Sequence, residues 1–267
     1  VLASLLSTIF SVAGGESWLG YGGQEYLSFL SVFMGVVLFY VLLNGAETKL
    51  AREAFLTLLV STSLVGLFTL LTLFGVYILP FAFTHALGFN TIGNPNALIS
   101  WLIPMCVAGL GLYITDADRG LVNRFMICWV TLVTVIFLVI VDFWALWITF
   151  LIGLLMLVGL SRLAPSHFEN RRRLLIPLGL GLLAVTFLFI KTPFNVALPI
   201  VVSPDINSSF QIASQTLSED PRILLFGSGS GSFDLDYAKY RPVENNNSPF
   251  WNVRFDRAQI HPLTLLA

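Results

Sequence analysis

The chain has 267 residues, of which 56% are hydrophobic and 11% charged, with a formal net charge of −1 and a mean hydropathy of +0.84. A soluble domain is typically about 25% charged, so too few polar side chains are present to cover a water-facing surface, which excludes a soluble globular enzyme for most of the chain. The same figures exclude a disordered chain and, without a basic surplus, a nucleic-acid-binding protein, leaving a polytopic membrane protein.

A membrane-crossing helix takes about 20 apolar residues. Residues 1–13 are uncharged and read as the end of a first span; residues 27–44 form a second. From 54 to 115 there is no Lys, Arg, Asp or Glu. That stretch is too long for one helix and divides at 80–95, where Gly88, Asn90, Gly93, Asn94 and Asn96 cluster as turn residues. Spans are thus expected over 54–78 and 97–114, with Asn96 as the N-cap of the latter. Residues 125–160 hold one charge, Asp142. An acid between apolar spans is a functional candidate by default, but Asp also caps helices and starts turns, and the turn is preferred. Two spans then meet at Asp142, with Phe143, Trp144 and Trp147 at the membrane–water interface. Residues 174–198 give a seventh span, with Lys191 snorkelling to the interface. An eighth opens at Pro262. The expected fold is therefore all-α, with about seven to eight transmembrane helices.

The short loops after spans two, four and six carry Lys49, Arg52, Arg119, Arg124, Arg162, Arg171, Arg172 and Arg173, whereas those after one, three and five carry no Lys or Arg. The asymmetry places the first set in the cytoplasm. Three regions follow: a helix bundle over 1–202, a large external loop over 203–261, and the start of a further helix at 262–267. The sequence opens on Val1 and stops at Ala267 inside a fresh apolar run, so a segment open at both ends is expected. Cys106 and Cys128 lie in apolar runs and read as small hydrophobes.

Within the external block, Ile206, Phe210, Ala213 and Leu217 recur at helical spacing. They predict an amphipathic helix started near Asp205 or Ser208 and stopped by Pro221. The run Gly227-Ser228-Gly229-Ser230-Gly231 lacks the Lys-Ser/Thr of a phosphate-binding loop and reads as a tight turn. Asp234-Leu235-Asp236 has the letters of a nucleotide-sugar metal site, but lies outside, where nucleotide sugars are not supplied.

Lys191, Arg222, Lys239, Arg241, Arg254 and Arg257 are six cations in this region, accompanied by seven acids from Asp205 to Asp256. One reading is a solvated loop laced with ion pairs. The other starts from Arg254 and Arg257, three apart and on one face if helical. Two guanidinium forks on one face suit a diphosphate. His261 follows at helix-like spacing and is either a general base or an interfacial histidine bonded to backbone or water. His85, in the third loop, is a weaker candidate for the same outer cavity.

The chain resembles the bacterial O-antigen ligase and polymerase family of membrane glycosyltransferases. The resemblance covers most of the chain and rests on short motifs. Gly93-Asn94-Pro95-Asn96-Ala97-Leu98 at a span entry looks like the family's glycine–asparagine turn. A large external loop lies near the end of a many-span chain. Leu225-Phe226-Gly227-Ser228-Gly229-Ser230-Gly231-Ser232-Phe233 leads through Tyr240-Arg241-Pro242 to Arg254 and His261, like the family's loop in which a Gly-x-Gly stretch precedes a histidine. Where the family commonly shows His-Asn or His-x-His, this chain has Gln259-Ile260-His261-Pro262.

The resemblance implies a GT-C-like protein of the bacterial cytoplasmic membrane. It would transfer a glycan from a polyprenyl-diphosphate-linked donor to a lipid, glycan or protein acceptor on the outer side, without cofactor or metal. Arg254 and Arg257 would stabilise the leaving diphosphate, with Arg241 and Lys191 near them, and His261 would act on the acceptor hydroxyl. Tyr240, Phe250 and Trp251 would offer faces to sugar rings, and membrane lipid would surround the bundle. The rival reading is a polysaccharide or lipid transporter or flippase, which predicts charges within the spans. A structural membrane scaffold is a third, and predicts no effect of substituting the outer arginines.

Overall fold

The computed structural model describes every residue except 22–24, 46, 87–88, 94, 116–119, 166–167, 169–170, 192–203, 244, 246–249 and 267. Among the described residues it is helical, with no strand. In chain order the α-helices are α1 (Leu2–Ile9), α2 (Gly14–Leu19), α3 (Phe29–Gly45), α4 (Thr48–Leu73), α5 (Pro95–Thr115) and α6 (Leu121–Val141). There follow α7 (Trp144–Leu163), α8 (Leu175–Phe189), α9 (Ile206–Glu219), α10 (Pro221–Phe226), α11 (Phe233–Tyr240) and α12 (His261–Leu266). They form two compact units, Glu47–Val201 and the combination of Val1–Ala46 with Val202–Ala267.

In the first of these units α5 packs on α6 and α7, α6 on α4, and α7 on α8. The core is apolar, from Leu98, Ile99 and Leu102 on α5 to Phe137 on α6 and Phe150 on α7. Helices approach closely at two glycines. A Cβ on Gly66 would lie 2.7 Å from Val133 Cγ1, and one on Gly153 would lie 2.9 Å from Val107 Cγ2. Small residues at such crossings let backbones approach where lipid gives little hydrophobic drive for association. Hydroxyl groups turn back onto their own helix: Ser63 donates to the Leu59 carbonyl and Thr134 to that of Val130, each at 2.7 Å. Polar groups are thereby satisfied inside the segment, as a hydrocarbon surrounding demands. An apolar groove of about 990 Å³ runs along α5 and α7 beside the first turns of α4.

Five helical segments are long and apolar enough to cross a membrane: Lys49–Leu73, Pro95–Thr115, Leu121–Val141, Trp144–Leu163 and Arg172–Phe189. The chain is thus a helical membrane protein, with fewer such helices among the described residues than the seven to eight expected. Three expected spans account for the difference. α3 has 17 residues, about 26 Å. α12 has six. The apolar stretch 1–13 does not continue as one helix. After α1 the Val12 N–H bonds the Ser228 carbonyl at 2.9 Å, and the Ala13 N–H bonds Ser11 Oγ at 2.9 Å. These bonds replace the next helical turn.

The reversal at Asp142 is present. Asp142 closes α6 in the left-handed region, at φ 44° and ψ 46°, its N–H bonding the Leu138 carbonyl. Phe143 and Trp144 are exposed beside it, but Trp147 is fully buried and stacks on Phe187 at 5.1 Å. At the entry to α5 the first helical position is Pro95, not the residue after Asn96. A proline there lacks only an N–H that has no helical partner anyway. Asn94 lies outside the described residues.

In the second unit α9 begins as the sequence predicts. Asp205 caps it, accepting the Ser208 N–H at 3.3 Å. Asp220 caps α10 in the same way through the Arg222 N–H at 2.8 Å, with Pro221 at the first position. The buried face of α9 differs from the apolar one. Ile206 and Phe210 are exposed, while Ser209, Ile212, Ala213 and Thr216 are buried. These are smaller side chains, and α11 packs beside them, bringing Phe233 and Tyr237 into one core with Ile212, Ala213, Phe255 and Leu263. Tyr237 and Phe255 meet edge to face at 5.2 Å.

Candidate functional site

A cavity of about 740 Å³ lies within the second unit. Its wall combines Ser4 and Ser7 of α1, Tyr26, the loop between α10 and α11, and His261 and Thr264 of α12. The loop is the glycine–serine run. Gly227, Gly229 and Gly231 all take positive φ, at 76°, 135° and 78°, so every second residue adopts a backbone that L side chains avoid. At Gly229 the demand is also steric. A Cβ there would fall 2.0 Å from Ser11 Oγ and 2.6 Å from Ser17 Oγ, two hydroxyls that are bonded to each other at 2.7 Å.

The serines of the run divide between two faces. Ser230 lines the cavity and shares a 3.3 Å hydrogen bond with Ser4. Ser228 and Ser232 are buried behind the loop with their Oγ atoms 2.7 Å apart. Ser228 donates to Asp236 Oδ2 at 2.5 Å, and Ser232 donates to the Gly229 carbonyl at 2.8 Å. Burial pushes the Asp236 carboxyl up from 3.8 to about 6, opposed by the Ser228 hydrogen bond and reinforced by the negative charges of Glu219 and Asp234.

Of the sequence-predicted site residues, His261 alone is among those that line this cavity. His261 lines it, as the first residue of α12. Arg254 and Arg257 are not among its lining residues. Arg254 is held on α11, its Nη2 3.0 Å from Asp234 Oδ2 and its Nε donating to the Asp234 carbonyl at 3.1 Å. Arg257 makes two bonds to the adjacent Asp256 carboxylate, at 3.1 and 2.9 Å. That pair lowers the Asp256 carboxyl and raises the Arg257 guanidinium. The shared helical face expected of these arginines does not form, because 251–260 is irregular. The helix begins only at His261, with Pro262 inside its first turn.

Arg241 donates to the Trp251 carbonyl at 2.8 Å, and the Trp251 ring is exposed. Tyr240 and Lys239 both donate to the Glu219 carboxylate, which those bonds lower. Arg222 donates to the Phe10 carbonyl at 3.1 Å and lies over the Phe10 ring. Lys191 is exposed and belongs to the other unit, as does His85, which stacks on Tyr77 at 4.5 Å.

The sequence assigned Ser228, Ser232 and Asp236 no role of their own, the run reading as a turn and Asp234-Leu235-Asp236 as a metal motif on the wrong side. The available signal was the strict Gly–Ser alternation with an acid at the start of the next helix. Among the described residues no three His, Cys, Asp or Glu side chains come together as a metal site. No protein-family model, curated protein or solved structure matches this chain.

Proposed function

We propose that this protein is a membrane glycosyltransferase of the O-antigen ligase and polymerase kind. It moves a glycan from a polyprenyl-diphosphate-linked donor to a lipid, glycan or protein acceptor on the outer side of the bacterial cytoplasmic membrane. One observation carries the reading: His261 shares a cavity wall with the glycine–serine loop, the two motifs on which the resemblance rests.

In this reading the acceptor hydroxyl attacks the anomeric carbon as the bond to the diphosphate oxygen breaks. His261 takes the hydroxyl proton, and the polyprenyl diphosphate leaves with the electron pair. Its charge calls for donors that stay ionised. Arg254 and Arg257 already grip carboxylates, the kind of oxygen pair that a diphosphate presents. A diphosphate competes with Asp234 and Asp256 for them. Arg241, in the same unit, is a further cation for the donor. The aromatic faces of Tyr240 and Trp251 serve sugar rings.

The test is transfer from a purified lipid-linked donor, read as released polyprenyl diphosphate, with the full-length protein in detergent. His261→Ala should lose roughly 10²–10⁴ of the rate if the imidazole is the base. Movement of lipid-linked glycan across proteoliposomes with no diphosphate released would replace this reading with the transporter.

A further inference from the structure

The glycine–serine loop is held from two sides, and the two attachments differ in kind. On one side it is pressed against the N-terminal segment. The Ser228 carbonyl accepts the Val12 N–H at 2.9 Å, Gly229 fits against Ser11 and Ser17, and Ser230 bonds Ser4. None of these groups titrates in the physiological range. On the other side it is held by Asp236. Asp236 is 7% exposed, sits on α11 beneath the loop, and is bonded to the loop through Ser228, whose Oγ lies 2.7 Å from that of Ser232. Ser232 fixes the Gly229 carbonyl. One carboxyl therefore anchors a chain of hydroxyl groups that reaches the residue of closest packing.

We propose that Asp236 is a proton-operated latch for the glycine–serine loop, and hence a positioning residue for the cavity that the loop lines. The loop is held closed on α11 when the carboxyl is protonated and released more readily when it is ionised. The assignment of this cavity as a glycosyl-transfer site rests on the reading above; the latch and its test do not.

The direction follows from what opening does. Closed, the carboxyl is buried, and an ionised group there has lost its hydration. The charges facing it are Glu219 from α9 and Asp234 and Lys239 from its own helix, so two of three are negative. Asp234 is itself neutralised in part by Arg254 from the 251–258 segment. Lifting the loop admits water to Asp236 and returns it toward its ordinary value of 3.8, from about 6 when closed. The closed form thus binds the proton more tightly, and acid favours it by linkage. Between pH 5 and 7.5 those two values shift the closed-to-open ratio roughly tenfold toward open.

The experiment reads loop opening directly. In the full chain with Cys106 and Cys128 replaced by alanine, Ser230→Cys reports on the loop and Gln215→Cys, on the exposed side of α9, reports on the reagent. Alkylation rates are measured from pH 5 to 7.5, and each Ser230→Cys rate is divided by that of Gln215→Cys, which removes the common rise in thiolate. The ratio should climb several-fold with a midpoint near 6. In Asp236→Asn, which is neutral throughout, it should stay at the low-pH level. Ser228→Ala keeps the carboxyl but removes the hydroxyl that favours its ionised form. Its midpoint should move to higher pH, which tests the latch even if Asp236→Asn fails to fold. A ratio that does not change with pH in the parent overturns the proposal. So does the same climb in Asp236→Asn, or an unmoved midpoint in Ser228→Ala.

Discussion

Arg254 is bound to Asp234 twice, once through the carboxylate and once through the backbone carbonyl, so a guanidinium fork from an irregular segment fastens that segment to the first turn of α11. The geometry needs a planar donor with two separated N–H groups, which arginine has and lysine lacks. The second carboxylate oxygen of Asp234 is buried with no hydrogen-bond partner among the described residues. Arg254 is thus the cation that makes burial of this acid tolerable.

Arg254→Ala should therefore cost stability before it costs anything else. A buried acceptor stripped of its partner costs about 1–3 kcal/mol. The Arg254 side chain is 52% exposed, so the lower half of that range is expected. Arg254→Lys should fall between the two, and Asp234→Asn should be milder because it removes the charge as well. Thermal unfolding of the full chain in detergent measures all three. An unchanged midpoint in Arg254→Ala would reduce the pair to solvated surface.

Gly229→Ala should be among the most damaging single-methyl changes in the chain. The added carbon meets Ser11 Oγ at 2.0 Å, and the backbone sits at φ 135°. Both strains act together, and either alone costs about 1 kcal/mol or more. The loop should lift from the 11–17 segment, seen as faster alkylation of a cysteine at Ser230. Gly14→Ala is the control, since a Cβ there meets nothing within 4 Å. Equal labelling in the two variants would show that the close approach is not maintained.

What was legible in the sequence follows the strength of local rules. Asp205 could be read as a cap because capping needs only one side chain and the next turn. The division at Asp142 was legible because it is the one charge in the 36 positions of 125–160. The face of α9 was not. Periodicity marks which positions are apolar, not which are small enough for α11 to approach: Ala213 of the expected face is buried, but Ser209 and Thr216 are buried with it and Phe210 is not. The arginine spacing misled for a related reason. A three-residue separation aligns two side chains only on a helix, and no helix spans 254 and 257. The serine network behind the loop joins Ser228 to Asp236 across a loop and a helix start, and the Gly–Ser alternation alone does not say which serines face the acid.

Asp142 is the one non-glycine residue at positive φ among those described. Asp and Asn tolerate the left-handed region, and glycine occupies it without penalty. Asp142→Asn and Asp142→Gly should thus keep the reversal, each within about 1 kcal/mol of the parent. Asp142→Val should lose about 1–2 kcal/mol, since a β-branched residue is disfavoured there. The measurement is the thermal midpoint in detergent. If valine were tolerated as well as asparagine, the turn would have to be held by packing alone.

The distribution of Lys and Arg over the short loops predicts the sidedness. A cysteine at Arg172 should be protected from an impermeant thiol reagent in intact cells and become reactive on permeabilisation. A cysteine at Gln215, exposed on α9, should react in intact cells. The reverse pattern would invert the topology and remove the outer-face glycosyltransferase reading, because lipid-linked donors would then face the wrong compartment.

Asp236 also gives stability a pH dependence of unusual sign. Its folded value is raised to about 6 from 3.8, opposite to a salt-bridged carboxylate. Between those values the folded state holds a proton that the unfolded chain has released. This group's contribution is therefore greatest below about 3.8, falls as pH rises through the window, and is flat above about 6. The total is on the order of 2–3 kcal/mol. Asp256 and Glu219, both lowered by their cationic partners, act in the opposite sense at lower pH. The absolute curve is consequently not diagnostic, and the difference between parent and Asp236→Asn is. The variant should gain on the parent steadily from pH 4 to about 6.5 and no further beyond it, in unfolding of the full chain in detergent. A difference that stays constant over that range would mean that Asp236 does not change its protonation on folding.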